Sequence, residues 1–344
     1  MSQKVSAASV AGEQTGSTLS ALESAEAARV RPTRTLWGNA WRQFRHHRLA
    51  MLGLVIFIGF IALTFLGPLV YKEDYFSPFK YDTSLSPGQS AEFFNMDTAQ
   101  DESKRFVLGT DSMGQDMLAR ILFGGRVSLS VGIAAAFIAI GLGTAIGAAA
   151  GFYGGFVDSL LMRITDLFIS LPTLPLLLLI TFLFKESMVK FAERTFGAGQ
   201  VGTFILIVGV IAVLAWMPTA RLVRASFLSM KEKEFVEAAR SIGAKEYTLI
   251  LKHILPNVMS PIIVAATLEV GSAIITESSL SFLGLGFPPD FPTWGRLLFD
   301  AVDQIQLYPM RVVMPGIAIS LTVLSVNYIG DGLRDALDPR IRGR

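Results

Sequence analysis

The chain has 344 residues, of which 51% are hydrophobic and 17% charged, with a formal net charge of +2 and a mean hydropathy of +0.50. A soluble domain carries about 25% charged residues, so this composition suits a chain that keeps much of its surface in lipid. There is no cysteine, which excludes disulfides, thiolate metal sites and cysteine nucleophiles. The three histidines, His46, His47 and His253, lack the spacing of a metal site.

Residues 1–35 are rich in Ala, Ser, Glu, Gly and Thr and poor in large apolar residues. Such a stretch cannot bury enough surface to offset its ordering entropy, and it reads as a disordered tail. No apolar h-region lies near Met1, so it does not read as a signal peptide. A basic lead with Arg42, Arg45 and Arg48 then precedes the first apolar run, 49–71. Segment 72–125 reads as an extracytoplasmic loop that ends in an amphipathic helix near 115–124, lying on the outer surface.

Five further apolar runs follow: 127–152, 157–184, 203–223, 258–285 and 308–329. A helix needs about 20 apolar residues to cross a bilayer, and long continuous runs exclude the alternating pattern of barrel strands. The expected fold class is therefore all-α, a polytopic membrane protein with six transmembrane helices. The second run carries Gly143, Gly147 and Gly151 at helical spacing, a ladder suited to close helix packing within the chain or against a partner. The third contains Pro172 and Pro175, the one candidate break. Trp37 and Trp294 fall near expected membrane interfaces.

Six spans put both termini on one side. With the N-terminus inside, nineteen Lys and Arg fall on inner segments and eleven on outer ones. The positive-inside rule then places both termini in the cytoplasm. On this reading 126–330 is a five-helix core, with an inner loop at 221–257, and 331–344 is a cytoplasmic tail.

No phosphate loop G-x-x-x-x-G-K-[ST] is present, and no lysine directly follows a glycine. The chain must act as a channel, use an ion gradient or borrow an ATPase. The inner loop bears on this choice. Residues 231–242 form an expected helix with Phe235, Ala238, Ala239 and Ile242 on one stripe, and Gly243 supplies a break or C-cap. A second short helix is expected at 245–253, before Pro256. This helix–turn–helix suits docking into a groove on a partner; a plain amphipathic surface helix has the same pattern.

The pattern Glu237-Ala238-Ala239-x-x-x-Gly243, followed by Leu255-Pro256, resembles the EAA loop of prokaryotic ABC importer permeases. That family usually has Ile where His253 stands. The blocks 108–129, 151–172, 277–289 and 329–340 are similar to the oligopeptide/dipeptide (OppC/DppC-like) subunits, as is the additional first span with its basic lead. Gln115 stands where those subunits usually have arginine. The resemblance spans 36–340 and implies a type I ABC importer permease fold (MetI-like) in a bacterial inner membrane.

The resemblance further implies that Glu237, Ala238, Ala239, Gly243, Leu255 and Pro256 dock onto an ATPase. The implied partners are a second, B-type permease subunit, two ATPase subunits, an extracytoplasmic substrate-binding protein and membrane lipid, with no nucleic acid. ATP and Mg would be held by the ATPase subunits, and this chain would bind no cofactor and catalyse no reaction. Peptides are the commonest cargo of such permeases; nickel chelates, glutathione and some sugars are alternatives.

Asp166 falls within the third apolar run, and Glu269 and Glu277 within the fifth. A charge at mid-bilayer costs about 2.5–3.5 kcal/mol on insertion scales, so such residues face protein or water. Glu269 and Glu277 are eight residues apart and read as sharing one face, which lines a translocation path, meets a partner permease or makes internal hydrogen bonds. Asp166 reads as the partner of Arg163. A secondary transporter driven by protons through Glu269 and Glu277 is the alternative of another class, although no convincing internal repeat supports it.

Overall fold

The computed structural model describes residues 36–71, 75, 81–95 and 100–337. The expected tail 1–35, the end of the expected tail 331–344 and the Trp37 side chain lie outside the described residues. Residues 1–43 and 44–344 form separate units, and the described part of the first is the start of helix α1 (Leu36–His46).

The second unit is built on long apolar helices. In order these are α2 (Arg48–Val70), α3 (Met117–Tyr153), α4 (Gly155–Ser170), α5 (Thr173–Phe196), α6 (Gly199–Met230), α7 (Glu234–Ser241), α8 (Glu246–Phe282), α9 (Trp294–Val302) and α10 (Met310–Leu337). Helices α2, α3, α6, α8 and α10 are each long and apolar enough to cross a membrane, and the α4–α5 pair makes a sixth crossing if counted as one span.

That pair covers the third expected span, with its break at the first of the two expected prolines. Its two halves meet at 87°. Leu171 sits in extended backbone (ψ 139°), as a residue before proline is driven to do, and Pro172 caps α5. Two aspartates on α4 tie it to α6. Asp158 pairs with Arg224 through two guanidinium nitrogens, one at 2.6 Å, and Asp166 pairs with Arg221 at 2.5 Å. Asp166 is thus bound to another helix instead of to Arg163. A residue one turn away in sequence yields to one that packing brings alongside.

The stretch 115–124 is a second correction. It is no separate surface helix but the first turns of the 37-residue α3. Asp116 starts the helix by accepting from the backbone N–H of Leu118 (2.9 Å) and Ala119 (3.2 Å), and it also receives Lys104 Nζ (2.9 Å) and the Tyr71 hydroxyl (2.5 Å). Gly124 and Gly125 do not break the helix; they make room. A Cβ on Gly125 would meet the Trp294 ring at 2.6 Å. Met117 and Leu122, expected to face lipid headgroups, are buried in the protein. Asp116→Ala should cost about 1–3 kcal/mol, because it removes the cap and takes a carboxylate acceptor from the half-buried Lys104 ammonium. Thermal unfolding of the purified chain in detergent measures this.

Ahead of α3, β1 (Ser90–Asn95) and β2 (Gln100–Arg105) form an antiparallel hairpin in register Ser90 to Arg105. It closes over a small aromatic cluster in which Tyr81 meets Phe93 and Phe106 edge-on. The hairpin is an addition to an otherwise helical fold.

Helices α3 and α6 form the spine. Val127, Val131 and Ala135 of α3 pack with Leu206, Ile207, Val210 and Ile211 of α6. Further along, the glycine ladder lets the two backbones touch. A Cβ on Gly143 would sit 2.6 Å from the Trp216 carbonyl, and one on Gly151 would sit 2.6 Å from Cβ of Phe227. The ladder therefore serves packing within the chain. Trp294, expected at a membrane interface, is fully buried and donates from Nε1 to the Ile121 carbonyl at 3.1 Å. Helix α10 runs on to Leu337, past the expected end of the core at 330.

Candidate functional site

Helix α7 follows α6 after a short turn. Glu234 and Glu237 lie in its first turn and Arg240 in its last, matching the helix dipole. It ends on Gly243 in the left-handed region (φ +83°), with Ala244 N–H bonded to the Ala239 carbonyl at 3.1 Å and Ile242 N–H to the Ala238 carbonyl at 3.2 Å. This is the six-to-one closure that glycine permits at low cost. Gly243 is thus a C-cap, and the sharp turn it makes sends the chain back to the bundle.

The expected apolar stripe of α7 divides in two. Val236 (0% exposed) and Ala239 are buried against Phe227, Leu249 and Ile254. Phe235, Ala238 and Ile242 (87% exposed) turn away from the chain. At 100° per residue, Ala239 lies between Val236 and the outward trio, so the bundle takes it and leaves the rest. Glu237 is exposed beside them, and a polar recess lined by Lys231, Glu232, Glu237, Arg240 and Ser241 flanks the helix.

The root of the loop differs from expectation. Residues 245–253 form no separate helix; they run directly into α8. The joint is a π-helical turn, Leu249–Ile254, in which Leu255 N–H reaches the Ile250 carbonyl. Pro256 explains it. Proline has no N–H for the Lys252 carbonyl and its ring crowds that carbonyl, and a widened turn relieves the conflict without ending the helix. Leu255 is half-buried and Pro256 exposed on this first regular turn, apart from the outward face of α7.

The two glutamates of α8 are separated as well. Eight residues at 100° each leave about 80° between their side chains, enough to give them different surroundings. Glu277 is 0% exposed. It accepts from Ser281 Oγ at 2.7 Å, Ser128 Oγ at 2.9 Å and Ser278 Oγ at 3.5 Å. Ser128 Oγ in turn accepts from Trp294 N–H at 3.2 Å. Glu277 is therefore a joint between α3, α8 and the start of α9, and in this structure it lines no open path. Glu269 is half-buried and has no hydrogen bond or ion pair among the described residues.

A second buried polar centre lies beside the hairpin, and the expectations missed it. Arg120 (2% exposed) pairs with Asp111, donates to the Pro289 carbonyl at 3.0 Å and lies 3.6 Å from Asp300, which Arg296 approaches at 2.9 Å. Arg311 donates to the Thr110 carbonyl at 2.7 Å and to Gln304 at 2.6 Å. The available signal was an arginine among apolar residues at the start of a span, since such a residue is seldom buried unless paired.

Apolar membrane-length helices with a projecting amphipathic hairpin define a multi-pass membrane protein. The family model described as "Binding-protein-dependent transport system inner membrane component" matches residues 143–343, and that described as "N-terminal TM domain of oligopeptide transport permease C" matches residues 35–90. The chain belongs to the family of inner-membrane components of binding-protein-dependent transport systems, as an OppC-like ABC transporter permease.

Similar proteins include the oligopeptide transport system permease protein OppC of Haemophilus influenzae, 38% identical over 309 residues that cover 90% of each chain. OppC of Bacillus subtilis is 34% identical over 90% of this chain and 91% of that protein. The glutathione transport system permease protein GsiD of Escherichia coli O6:K15:H31 is 36% identical over 90% of this chain and 92% of that protein. A solved structure of the MetNI methionine ABC transporter in an inward-facing conformation aligns with 64% of this chain and 96% of its own, at 18% identity and a TM-score of 0.48.

Proposed function

We propose that this chain is the permease subunit of an ATP-driven peptide importer and that α7 is its coupling helix. The observation that carries this reading is the division of α7. Val236 and Ala239 anchor it to the bundle, while Phe235, Ala238 and Ile242 form an apolar face that no described residue of the second unit covers. A small residue midway along that face, between Phe235 and Ile242 and next to the exposed Glu237, suits insertion into a cleft on an ATPase subunit.

In this reading both termini and α7 are cytoplasmic, as the basic lead at Arg42–Arg48 and the basic residues of 221–257 favour. Two ATPase subunits hold ATP and Mg and perform the hydrolysis, so this chain binds no cofactor. A B-type permease supplies the other half of the path, and an extracytoplasmic binding protein delivers the solute. Family membership favours ATP over an ion gradient as the energy source. Glutathione as cargo is a second reading, supported by the 36% identity to GsiD.

The test is co-purification with the ATPase subunits and ATP-driven uptake in proteoliposomes. Deleting 237–243 should abolish both. Ala238→Arg, at an exposed position that leaves folding intact, should reduce uptake about 30-fold or more, as hot-spot substitutions do. Normal recovery of the intact complex from both variants would overturn the coupling role.

A further inference from the structure

Glu269 lies in the helical stretch Leu255–Phe282, about 20 Å from either end at 1.5 Å per residue. That is mid-bilayer depth, where a carboxylate cannot face lipid without large cost. Glu277, two turns on, meets this demand with three serine hydroxyls from its own chain. Glu269 has no such partner among the described residues, and no Lys, Arg or His lies anywhere in Leu255–Phe282. No described residue therefore pairs with it, and its position leaves room for a partner that the chain itself does not supply.

The neighbours on that face narrow the chemistry. Ser272, Thr276 and Ser279 follow Glu269 at helical spacing, with Ser272 exposed and the other two half-buried. Thr276 donates its hydroxyl proton to the Ser272 carbonyl at 2.8 Å, and Ser279 donates to the Ile275 carbonyl at 2.8 Å. Both hydroxyls therefore present only lone pairs outward. With the carboxylate they make a stripe rich in acceptors, which matches a group that has several N–H donors and a positive charge. A carboxylate–ammonium contact is short and charge-assisted, and it satisfies Glu269 as serines satisfy Glu277.

We infer that Glu269 is the charge-selecting residue of the translocation path, which accepts the ammonium group of the solute as it passes the membrane midplane. This rests on the reading of the chain as a path-forming permease and adds the charge class of the cargo. Glu269 favours cationic and amine-bearing solutes and disfavours those whose only charge is negative.

The test needs no knowledge of the natural cargo, because the chain has no cysteine. In the assembled complex, Ser272→Cys is modified with a cationic trimethylammonium thiosulfonate and with an anionic sulfonate thiosulfonate. The rate ratio is normalised to that of a small free thiol, in resting and ATP-bound states. The cationic reagent should be favoured about tenfold or more in at least one state, as a single carboxylate in a narrow cleft gives. The preference should vanish in Ser272→Cys with Glu269→Gln and persist with Glu269→Asp.

Labelling without charge preference, or a preference that survives Glu269→Gln, would overturn the selecting role alone. Absence of labelling in every state would overturn the path reading with it. ATPase activity of each purified complex shows that assembly is intact, and Thr276→Cys supplies a second reporter should the first variant fail to assemble.

Discussion

Replacing Gly147 with leucine is expected to separate α3 from α6 and to abolish recovery of folded protein. A Cβ at this position would meet the Ala220 carbonyl oxygen, lie 2.8 Å from Val223 Cβ and lie 3.0 Å from the Arg224 backbone nitrogen. Backbone atoms of a neighbouring helix cannot swing aside as a side-chain tip can. The two helices would have to move apart along the ladder from Gly143 to Gly151, at the centre of the spine. Overpacking of a core costs about 1–3 kcal/mol or more, and here the obstruction is backbone.

The effect should extend to α7. Phe227, which Gly151 admits, packs under Val236 and Ala239. Gly141→Leu is the matched control, since its Cβ would meet nothing within 4 Å. Leucine is a better helix former than glycine by about 0.5–1 kcal/mol, so the control should be neutral or slightly stabilising. Thermal unfolding in detergent and yield of monodisperse protein separate the two variants; equal behaviour would contradict the ladder's role.

Arg120→Ala should be the most damaging single loss of charge, at about 3–5 kcal/mol, the range for removing one partner of a buried pair. It leaves Asp111 and Asp300 facing each other without the cation between them, and it frees the Pro289 carbonyl that holds the turn before α9. The deficit should depend on pH. Burial pushes the Asp300 carboxyl up, against the opposing pull of Arg296 and then Arg120.

A raised native pKa means that the folded chain holds a proton that the unfolded chain has released. Its stabilising contribution is complete below the ordinary aspartate value and is lost as pH rises through the native value. Without Arg120 one of the opposing pulls is gone and Asp300 rises further. The loss of stability should therefore be larger at about pH 8 than at about pH 5. Melting temperatures of wild type and variant at both pH values measure this, and a deficit independent of pH would rule out the electrostatic account.

Much of this was legible one residue at a time. Gly243 was readable as a cap because only glycine enters the left-handed region at low cost, and it does so at φ +83°. Pro172 was readable as a candidate break because proline drives the preceding residue to extended backbone, which Leu171 adopts. The 87° bend between the halves was not readable, since it depends on Asp158 and Asp166 meeting arginines more than fifty residues away. The two Glu residues of α8 looked alike in sequence. One is enclosed by Ser128, 149 residues distant, and the other is left open.

The sequence by itself determined that this chain crosses a membrane, with roughly which segments, because lipid offers no hydrogen bonds and long apolar runs satisfy their backbone groups internally as helices. It also determined that a small-residue ladder and a projecting hairpin would exist. Only the tertiary structure decided that the ladder is filled by α6 and that α7 keeps Phe235, Ala238 and Ile242 outward. It likewise decided that, of the two acids on α8, Glu269 is the one left without a partner among the described residues. Those outcomes depend on which distant residues packing brings within a few ångströms, and local periodicity carries no record of that.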